Sequence, residues 1–94
     1  MNSRGYCIDN RFIEVNKTNI TVVKPEGMIS NITNIYVAQY DENKKYITEL
    51  SQSCGYAVSQ ASFTLNSKTK YIRVSFKYSN TSNFTELFAT YTIK

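Results

Sequence analysis

The clearest pattern in this chain is a strict alternation of apolar and polar side chains over residues 70–78. In an extended chain, Ile72, Val74 and Phe76 would point to one side and the polar residues between them to the other. A period of two residues, with β-branched and aromatic side chains on the apolar side, is typical of a half-buried β-strand. The segment therefore predicts a strand with one face in a hydrophobic core.

Shorter segments of similar character, separated by polar turns, fill most of the remaining chain. One of them is apolar on both faces, which indicates a central strand, and no stretch has the apolar spacing of a long helix. Seven to nine short strands at spacings near ten residues predict an all-β fold, an antiparallel and jelly-roll-like β-sandwich, with a small barrel as the other architecture that fits. The predicted strands cover residues 5–8, 11–15, 20–23, 34–40, 46–50, 61–65, 70–78 and 84–93.

The composition is that of one folded domain. Hydrophobic residues make up 41% of the 94 residues, which is enough for one core but not for two. The 8 Tyr and 5 Phe exclude a disordered composition. No apolar run is long enough to cross a membrane, and the N-terminal residues lack an apolar signal segment. We therefore expect a single module over residues 1–94, either made in a cytoplasm or excised from a longer protein.

The chain lacks the residues that the commonest catalytic and metal sites require. Without any His, neither a Ser-His-Asp nor a Cys-His arrangement can form, and two isolated cysteines cannot build a zinc site. Cys7 and Cys54 are far apart in sequence, and we expect free thiols. Asp41 and Glu42 lie in a turn beside two lysines, which disfavours calcium. We expect a protein that is not an enzyme and that needs no metal or cofactor.

Three segments occur in an order that resembles a known family. They are residues 12–22, residues 37–47 with the sequence Val-Ala-Gln-Tyr-Asp-Glu-Asn-Lys-Lys-Tyr-Ile, and residues 63–76, which contain Lys-Tyr-Ile-Arg-Val-Ser-Phe. They resemble β-sandwich modules of bacteriophage tail and baseplate proteins, which also lie beside hydrolase domains of bacterial surface enzymes. The similarity covers residues 11–78, and Gln39 stands where those modules usually have an apolar or aromatic residue.

The resemblance implies a jelly-roll carbohydrate-binding module that is not catalytic. It also implies a location on a virion, or outside the cell at a bacterial surface. The partners would be cell-surface polysaccharide and neighbouring domains or subunits of a larger assembly, with no membrane contact.

Polar and aromatic residues on the predicted strands supply chemistry suited to sugars. A sugar can stack its C–H face on a Tyr ring while amide, carboxylate and guanidinium groups bind its hydroxyls. Tyr71, Arg73 and Lys77 share the polar face of the long alternating strand. If the central strand is its neighbour, Gln39 and Asp41 would approach Arg73. The predicted carbohydrate site comprises Tyr71, Arg73, Lys77, Gln39 and Asp41.

Two other functions would use similar residues. A structural or assembly domain would make protein–protein contacts through apolar patches. An OB-like barrel that binds single-stranded nucleic acid would interleave basic and aromatic side chains, but the 11 basic and 7 acidic residues are dispersed and the net charge is only +4. Steep salt dependence would mark the nucleic-acid binder, and self-association the assembly domain. The apolar patch considered for assembly consists of Phe84, Leu87, Phe88 and Tyr91.

Overall fold

The computed structural model describes residues 2–3, 6–8, 11–55, 57–78 and 91–94, which form two antiparallel sheets. The strands are β1 (Asn2–Ser3), β2 (Tyr6–Ile8), β3 (Ile13–Glu14), β4 (Asn19–Val23), β5 (Ile32–Tyr40), β6 (Tyr46–Ser53), β7 (Gln60–Thr64), β8 (Tyr71–Tyr78) and β9 (Thr92–Ile93), with a 3-10 helix at Glu26–Met28. Sheet A has the order β1-β2-β8-β5-β6, with β3 also paired to β8, and sheet B has the order β7-β4-β9. The predicted all-β antiparallel sandwich is confirmed.

Most of the individual strand predictions also agree with the structure. Strands β4 to β8 coincide with predicted segments to within a few residues, and the described strands form two separate sheets rather than a barrel. Cys54 is a free, buried thiol, as expected, whereas the side chain of Cys7 lies outside the described residues. So do Phe84, Leu87, Phe88 and most of the predicted strand at 84–93. In the described ranges, no helix is long and apolar enough to span a membrane.

The hydrophobic core is built on the central pair β5 and β8, where Val37 lies opposite Val74. Ile72, Val74 and Phe76, the residues predicted to face inward, expose none of their surface, and Ile35 and Val37 on β5 are equally buried. Burying each such side chain contributes about 1.5–3 kcal/mol. The remaining core residues are Val15, Ile20, Val22, Ile32, Cys54, Ala61, Phe63, Leu65 and Tyr91.

A buried lysine ties the two sheets together just after β4. Lys24 exposes 2% of its surface, and its ammonium group donates hydrogen bonds to the carbonyl oxygens of Ile29 at 3.0 Å, Ile32 at 2.8 Å and Gly55 at 3.2 Å. Burial lowers the pKa of Lys24, and the nearby Cys54 thiol partly opposes this shift. Because an ammonium has three N–H donors, one side chain satisfies three carbonyls on two segments, residues 29–32 and the loop after β6.

Replacing Lys24 by Met should lower the free energy of unfolding by about 2 kcal/mol. Three carbonyl groups would lose their donor at roughly 1–3 kcal/mol each, while removal of a buried charge returns part of that loss. Urea unfolding measures the difference, and Lys17→Met, at an exposed lysine, should stay within about 0.5 kcal/mol of wild type. Equal or greater stability of the Lys24→Met variant would mean that the cost of burying the charge outweighs the three hydrogen bonds.

Candidate functional site

The polar residues of β8 lie on the face of sheet A that points away from the core, here called the outer face. Tyr71, Arg73 and Lys77 share this face, as predicted from their alternation with buried residues. The antiparallel register places Tyr40 opposite Tyr71 and Ala38 opposite Arg73. The outer faces of β5 and β8 therefore form one continuous surface of aromatic, small and basic side chains.

Four aromatic residues gather at one end of the outer face and are here called the end cluster. They are Phe12, Tyr40, Tyr46 and Tyr71. The ring centroids of Phe12 and Tyr40 are 4.9 Å apart, those of Tyr40 and Tyr46 are 5.9 Å apart, and those of Phe12 and Tyr71 are 6.3 Å apart. All three pairs are edge-to-face, a geometry that contributes about 0.5–1.5 kcal/mol per pair beyond area burial. The cluster joins β5, β6 and β8 to the segment just before β3.

Two cations lie over rings of this cluster. The Lys44 ammonium is 5.4 Å from the Phe12 centroid and 5.2 Å from that of Tyr71, and the Arg73 guanidinium is 5.3 Å from that of Phe12. Cations at such distances are attracted by the ring faces. Tyr46 is 61% exposed, and no cation–π contact involves it among the described residues. Tyr46 is therefore the cluster's ring with the most surface open to a ligand.

Asp41 shapes the turn that carries Lys44 to the rings. Its Oδ1 atom accepts hydrogen bonds from the backbone N–H groups of Asn43 at 2.8 Å and Lys45 at 3.0 Å. The Lys45 bond is the main cause of a lowered pKa at Asp41. Lys44 adopts a φ of 61°, in the left-handed region, which a side chain accepts only when the surrounding turn imposes it. The carboxylate of Asp41 and the backbone hydrogen bonds between Asp41 and residues 44 and 45 thus together place Lys44.

A polar cleft of about 470 Å³, here called the end cleft, opens beside the same turn. Its other wall is the turn at 66–70. Both turns lie at the end of sheet A that carries the end cluster, because Tyr40 pairs with Tyr71 and the Lys70 N–H donates to the Tyr40 carbonyl at 2.8 Å. The lining offers carboxylates, ammonium groups and hydroxyls. Its residues are Asp41, Glu42, Ser67, Lys68, Thr69 and Lys70.

Gln39 supports the cleft from beneath. It exposes 1% of its surface, and its side-chain oxygen accepts hydrogen bonds from the Asn66 backbone N–H at 2.7 Å and the Thr69 hydroxyl at 2.6 Å. The structure does not bring Gln39 next to Arg73. Arg73 pairs with Ala38, and adjacent residues of a strand point to opposite faces. Gln39 therefore holds a wall of the cleft instead of meeting a ligand at the outer face.

The remaining predicted residues divide between the two ends of the outer face. Tyr71 and Arg73 belong to the end cluster or touch it, and Asp41 lines the cleft. Lys77 follows Tyr71 by six positions, which at about 3.3 Å per residue separates them by roughly 20 Å along the strand. The structure thus gathers three of the five predicted residues at one site, with Gln39 below it and Lys77 away from it.

Phe12, Lys44 and Tyr46 are part of this site although the predicted set omits them. Phe12 lies outward and is 38% exposed, whereas Ile13 packs against the core. Tyr40 and Tyr46 flank a turn, and a hairpin places the residues that flank its turn side by side. The sequence therefore contains a signal for the proximity of Tyr40 and Tyr46, because both flank the polar turn at 41–45. The position of Lys44 has no comparable signal, because it depends on the backbone of the turn.

The chemistry at this end is that of hydrogen bonding and stacking. Within the described ranges, no group of three or more His, Cys, Asp or Glu side chains lies close enough to hold a metal ion. Lys70 forms an exposed ion pair with Glu14 at 3.3 Å, which contributes at most about 1 kcal/mol. The end cleft presents hydrogen-bond donors and acceptors to a ligand, and it carries both acidic and basic side chains.

Replacing Gln39 by Leu should lower the free energy of unfolding by about 1–3 kcal/mol, because the Asn66 N–H and the Thr69 hydroxyl would lose their acceptor. Urea unfolding gives the value. Gln60→Leu makes the same change at an exposed position of β7 and should stay within about 0.5 kcal/mol of wild type. A Gln39→Leu variant as stable as wild type would mean that the turn does not depend on this side chain.

Asp41→Asn should be less stable than wild type at neutral pH but not in acid. A folded-state pKa below the ordinary value of about 3.9 means that the folded protein favours the ionised form. The stabilisation by the ionised carboxylate is fully present above about pH 3.9, and it is lost as the pH falls through the lower pKa that Asp41 has in the folded protein. Urea unfolding at neutral pH and at about pH 2 tests this. Glu42→Gln keeps both turn hydrogen bonds and should show no such difference. A stability gap for Asp41→Asn that does not narrow as the pH falls would contradict the assignment.

Comparison with known proteins identifies no relative of this chain. No family model matches it, and neither a curated protein nor a solved structure does. The resemblance to β-sandwich modules of phage tails and bacterial surface enzymes therefore stays a prediction that rests on the three sequence segments alone.

Proposed function

We propose that this domain binds cell-surface polysaccharide, without catalysis, at the end of sheet A that carries the end cluster and the end cleft. The observation that carries the proposal is that an exposed ring and a polar cleft lie at the two ends of one turn. The ring is that of Tyr46, which directly follows the 41–45 turn. Asp41, which begins the turn, lines the end cleft. A free aromatic face near convergent polar groups is the combination by which proteins recognise sugars.

Tyr46 is the expected stacking platform. Its ring is largely exposed, and the Tyr40 ring supports it edge-on. The Phe12 and Tyr71 rings have less free surface because Lys44 already lies over both. A sugar is therefore expected to stack on Tyr46, while the other rings keep the platform rigid. Rigid aromatic anchors lose little conformational entropy on binding.

The end cleft would supply the directional contacts. Asp41 and Glu42 can accept hydrogen bonds from sugar hydroxyls, and Lys68 can donate. The Thr69 hydroxyl donates to Gln39, so its oxygen remains able to accept. The cleft volume of about 470 Å³ lies within the range of roughly 300–1,000 Å³ that is usual for small-molecule sites. One or two sugar units of a longer chain would occupy such a space.

A shallow site of this kind suits an accessory module of a larger assembly. Affinity at a single exposed ring and an open cleft is expected to be weak. Several copies on one particle raise the apparent affinity by roughly 10²–10⁴ without any new contact. Following the sequence resemblance, the proposal includes a phage tail or a bacterial surface protein as the parent assembly, with neighbouring domains as further partners.

Single-stranded nucleic acid is the rival ligand for the same rings. Lys44 and Arg73 beside aromatic faces would also suit bases and phosphates. The two ligands differ in their response to salt. Phosphate contacts release counterions, so nucleic-acid binding falls steeply as salt rises, whereas stacking on a neutral sugar changes little.

The test is binding of the labelled domain to an array of bacterial cell-wall polysaccharides at low and at high salt. Wild type should bind one class of glycan at both salt concentrations. Tyr46→Ala should weaken that binding at least tenfold, or ~1.4 kcal/mol, because the stacking face is lost. Val58→Ala removes an exposed apolar side chain from a loop and should leave binding unchanged.

Three results would contradict the proposal. A folded wild-type domain that binds no glycan on the array would remove these polysaccharides as ligands. Binding that survives Tyr46→Ala at full strength would move the site away from the end cluster. Binding to single-stranded oligonucleotides with a steep salt dependence, and to no glycan, would favour the nucleic-acid function instead.

A further inference from the structure

Strand β6 forms an open lateral edge of sheet A. Of the described strands it pairs with β5 alone, so the backbone groups on its other side have no strand partner there. It is 8 residues long, compared with 5 for β7 and 2 each for β1 and β9. β6 is therefore the longest open edge in the described part of the chain.

The sequence of β6 lacks the usual protection of such an edge. Proteins commonly place lysine, proline or a bulge on an edge strand to prevent pairing with another chain. β6 contains no lysine, arginine or proline, and Glu49 is its one charged residue. A register shift lies at its beginning, beside Tyr40, and the pairing is regular from Thr48 to Ser53. This regular part is a template for a further antiparallel strand.

Most side chains in the second half of β6 are exposed, including those of Glu49, Ser51 and Ser53. The Gln52 side chain donates to the Ser62 carbonyl of β7, so β7 borders the same side of the sandwich from sheet B. A groove of about 310 Å³ lies at the opposite side of the sandwich. Its lining includes Ile13 of β3 and Asn16 just after it, next to sheet A, and Ile93 of β9 in sheet B. The two sides thus differ, one presenting a long regular strand and the other short strands around a groove.

We propose that β6 pairs antiparallel with β6 of a second copy of this chain, about a two-fold axis that is perpendicular to sheet A and passes midway between Leu50 and the partner's Leu50. Main-chain hydrogen bonds would provide the affinity, as in other interactions that add a strand to a sheet edge. An isologous dimer of this kind is closed and symmetric. The proposal stands independently of the proposed function, since it requires no glycan.

The side chains of β6 select this register. Residues directly opposite in an antiparallel pair point to the same face, so a two-fold axis perpendicular to the sheet must pass midway between the two copies of one residue. An axis at Glu49 would set it against the partner's Glu49, which is unfavourable. An axis at Leu50 sets this half-buried, core-packing residue against the partner's Leu50.

The same axis suits the neighbouring positions. Glu49 would lie opposite the partner's Ser51, and Thr48 opposite the partner's Gln52. No like charges meet, and polar side chains capable of hydrogen bonding are paired. An axis at Ser51 also avoids a charge clash, but it would set Leu50 against the partner's Gln52 and lose the apolar pair.

Such a dimer would have one continuous sheet across both copies. Because the axis is perpendicular to sheet A, both outer faces point to the same side. The two end clusters would therefore face the same surface from opposite ends of the joined sheet. One consequence of the dimer rests on the proposed function: two weak sites that bind one surface at the same time gain in apparent affinity.

The test is sedimentation equilibrium of the full chain at rising concentrations, up to about 1 mM, at low ionic strength. Wild type should dimerise reversibly. Ser51→Glu sets a carboxylate against the partner's Glu49 at two symmetric places and should weaken the dimer by about tenfold or more. Combining Ser51→Glu with Glu49→Lys converts both contacts into opposite-charge pairs and should restore it. Asn16→Glu adds the same charge at the opposite side and should change nothing.

Each other outcome would overturn the proposal. A wild-type chain that stays monomeric at about 1 mM would exclude the dimer. Dimerisation that Ser51→Glu leaves intact would place the contact on another surface. Loss of the dimer in Ser51→Glu without recovery in the double variant would exclude the axis at Leu50. Circular dichroism checks that each variant is folded. The three substituted positions, Asn16, Glu49 and Ser51, are exposed.

Discussion

The antiparallel pairing of β5 with β8 is the interaction on which the rest of this structure depends. Its register sets Val37 against Val74 in the core and Tyr40 against Tyr71 on the outer face. Since side chains alternate with a period of two, a shift of one residue would exchange these faces and expose the core. The same pairing therefore fixes the position of the hydrophobic core and that of the aromatic cluster.

Buried polar groups secure both ends of β5. Lys24 binds the Ile32 carbonyl at its beginning, and Gln39 near its end accepts hydrogen bonds from the turn at 66–69. A polar group in the interior is costly unless its hydrogen bonds are made. Each of these side chains meets that condition and also reaches a segment about thirty residues away, Lys24 at the Gly55 carbonyl and Gln39 at the turn at 66–69. Both therefore add specificity to the packing of apolar residues.

The candidate site lies where two turns meet at one end of sheet A. The strands supply rigid rings, and the turns supply the polar groups of the cleft. This division is common, because loops on a rigid sheet can present varied chemistry without disturbing the core. The open edge of β6 begins at the same end, with Tyr46. A single strand thus contributes to the proposed ligand platform and to the proposed contact between copies.

The sequence by itself determined the class of fold and the faces of its long strands. Apolar alternation on β8 was sufficient to predict Ile72, Val74 and Phe76 as core residues, because burial of one face requires a period of two. The same alternation placed Tyr71 and Arg73 on a shared surface. Turn composition located the hairpin between β5 and β6, which was enough to bring Tyr40 and Tyr46 into proximity.

Only the tertiary structure decided which of these residues meet. The inward orientation of Gln39 and its bonds to Asn66 and Thr69 depend on contacts between segments about thirty residues apart, and no local pattern encodes such a pairing. The position of Lys44 over Phe12 depends on a left-handed backbone conformation and on a ring about thirty residues away in the sequence. Periodicity in a sequence specifies the direction of a side chain, but its partner depends on register and packing, which the whole fold sets.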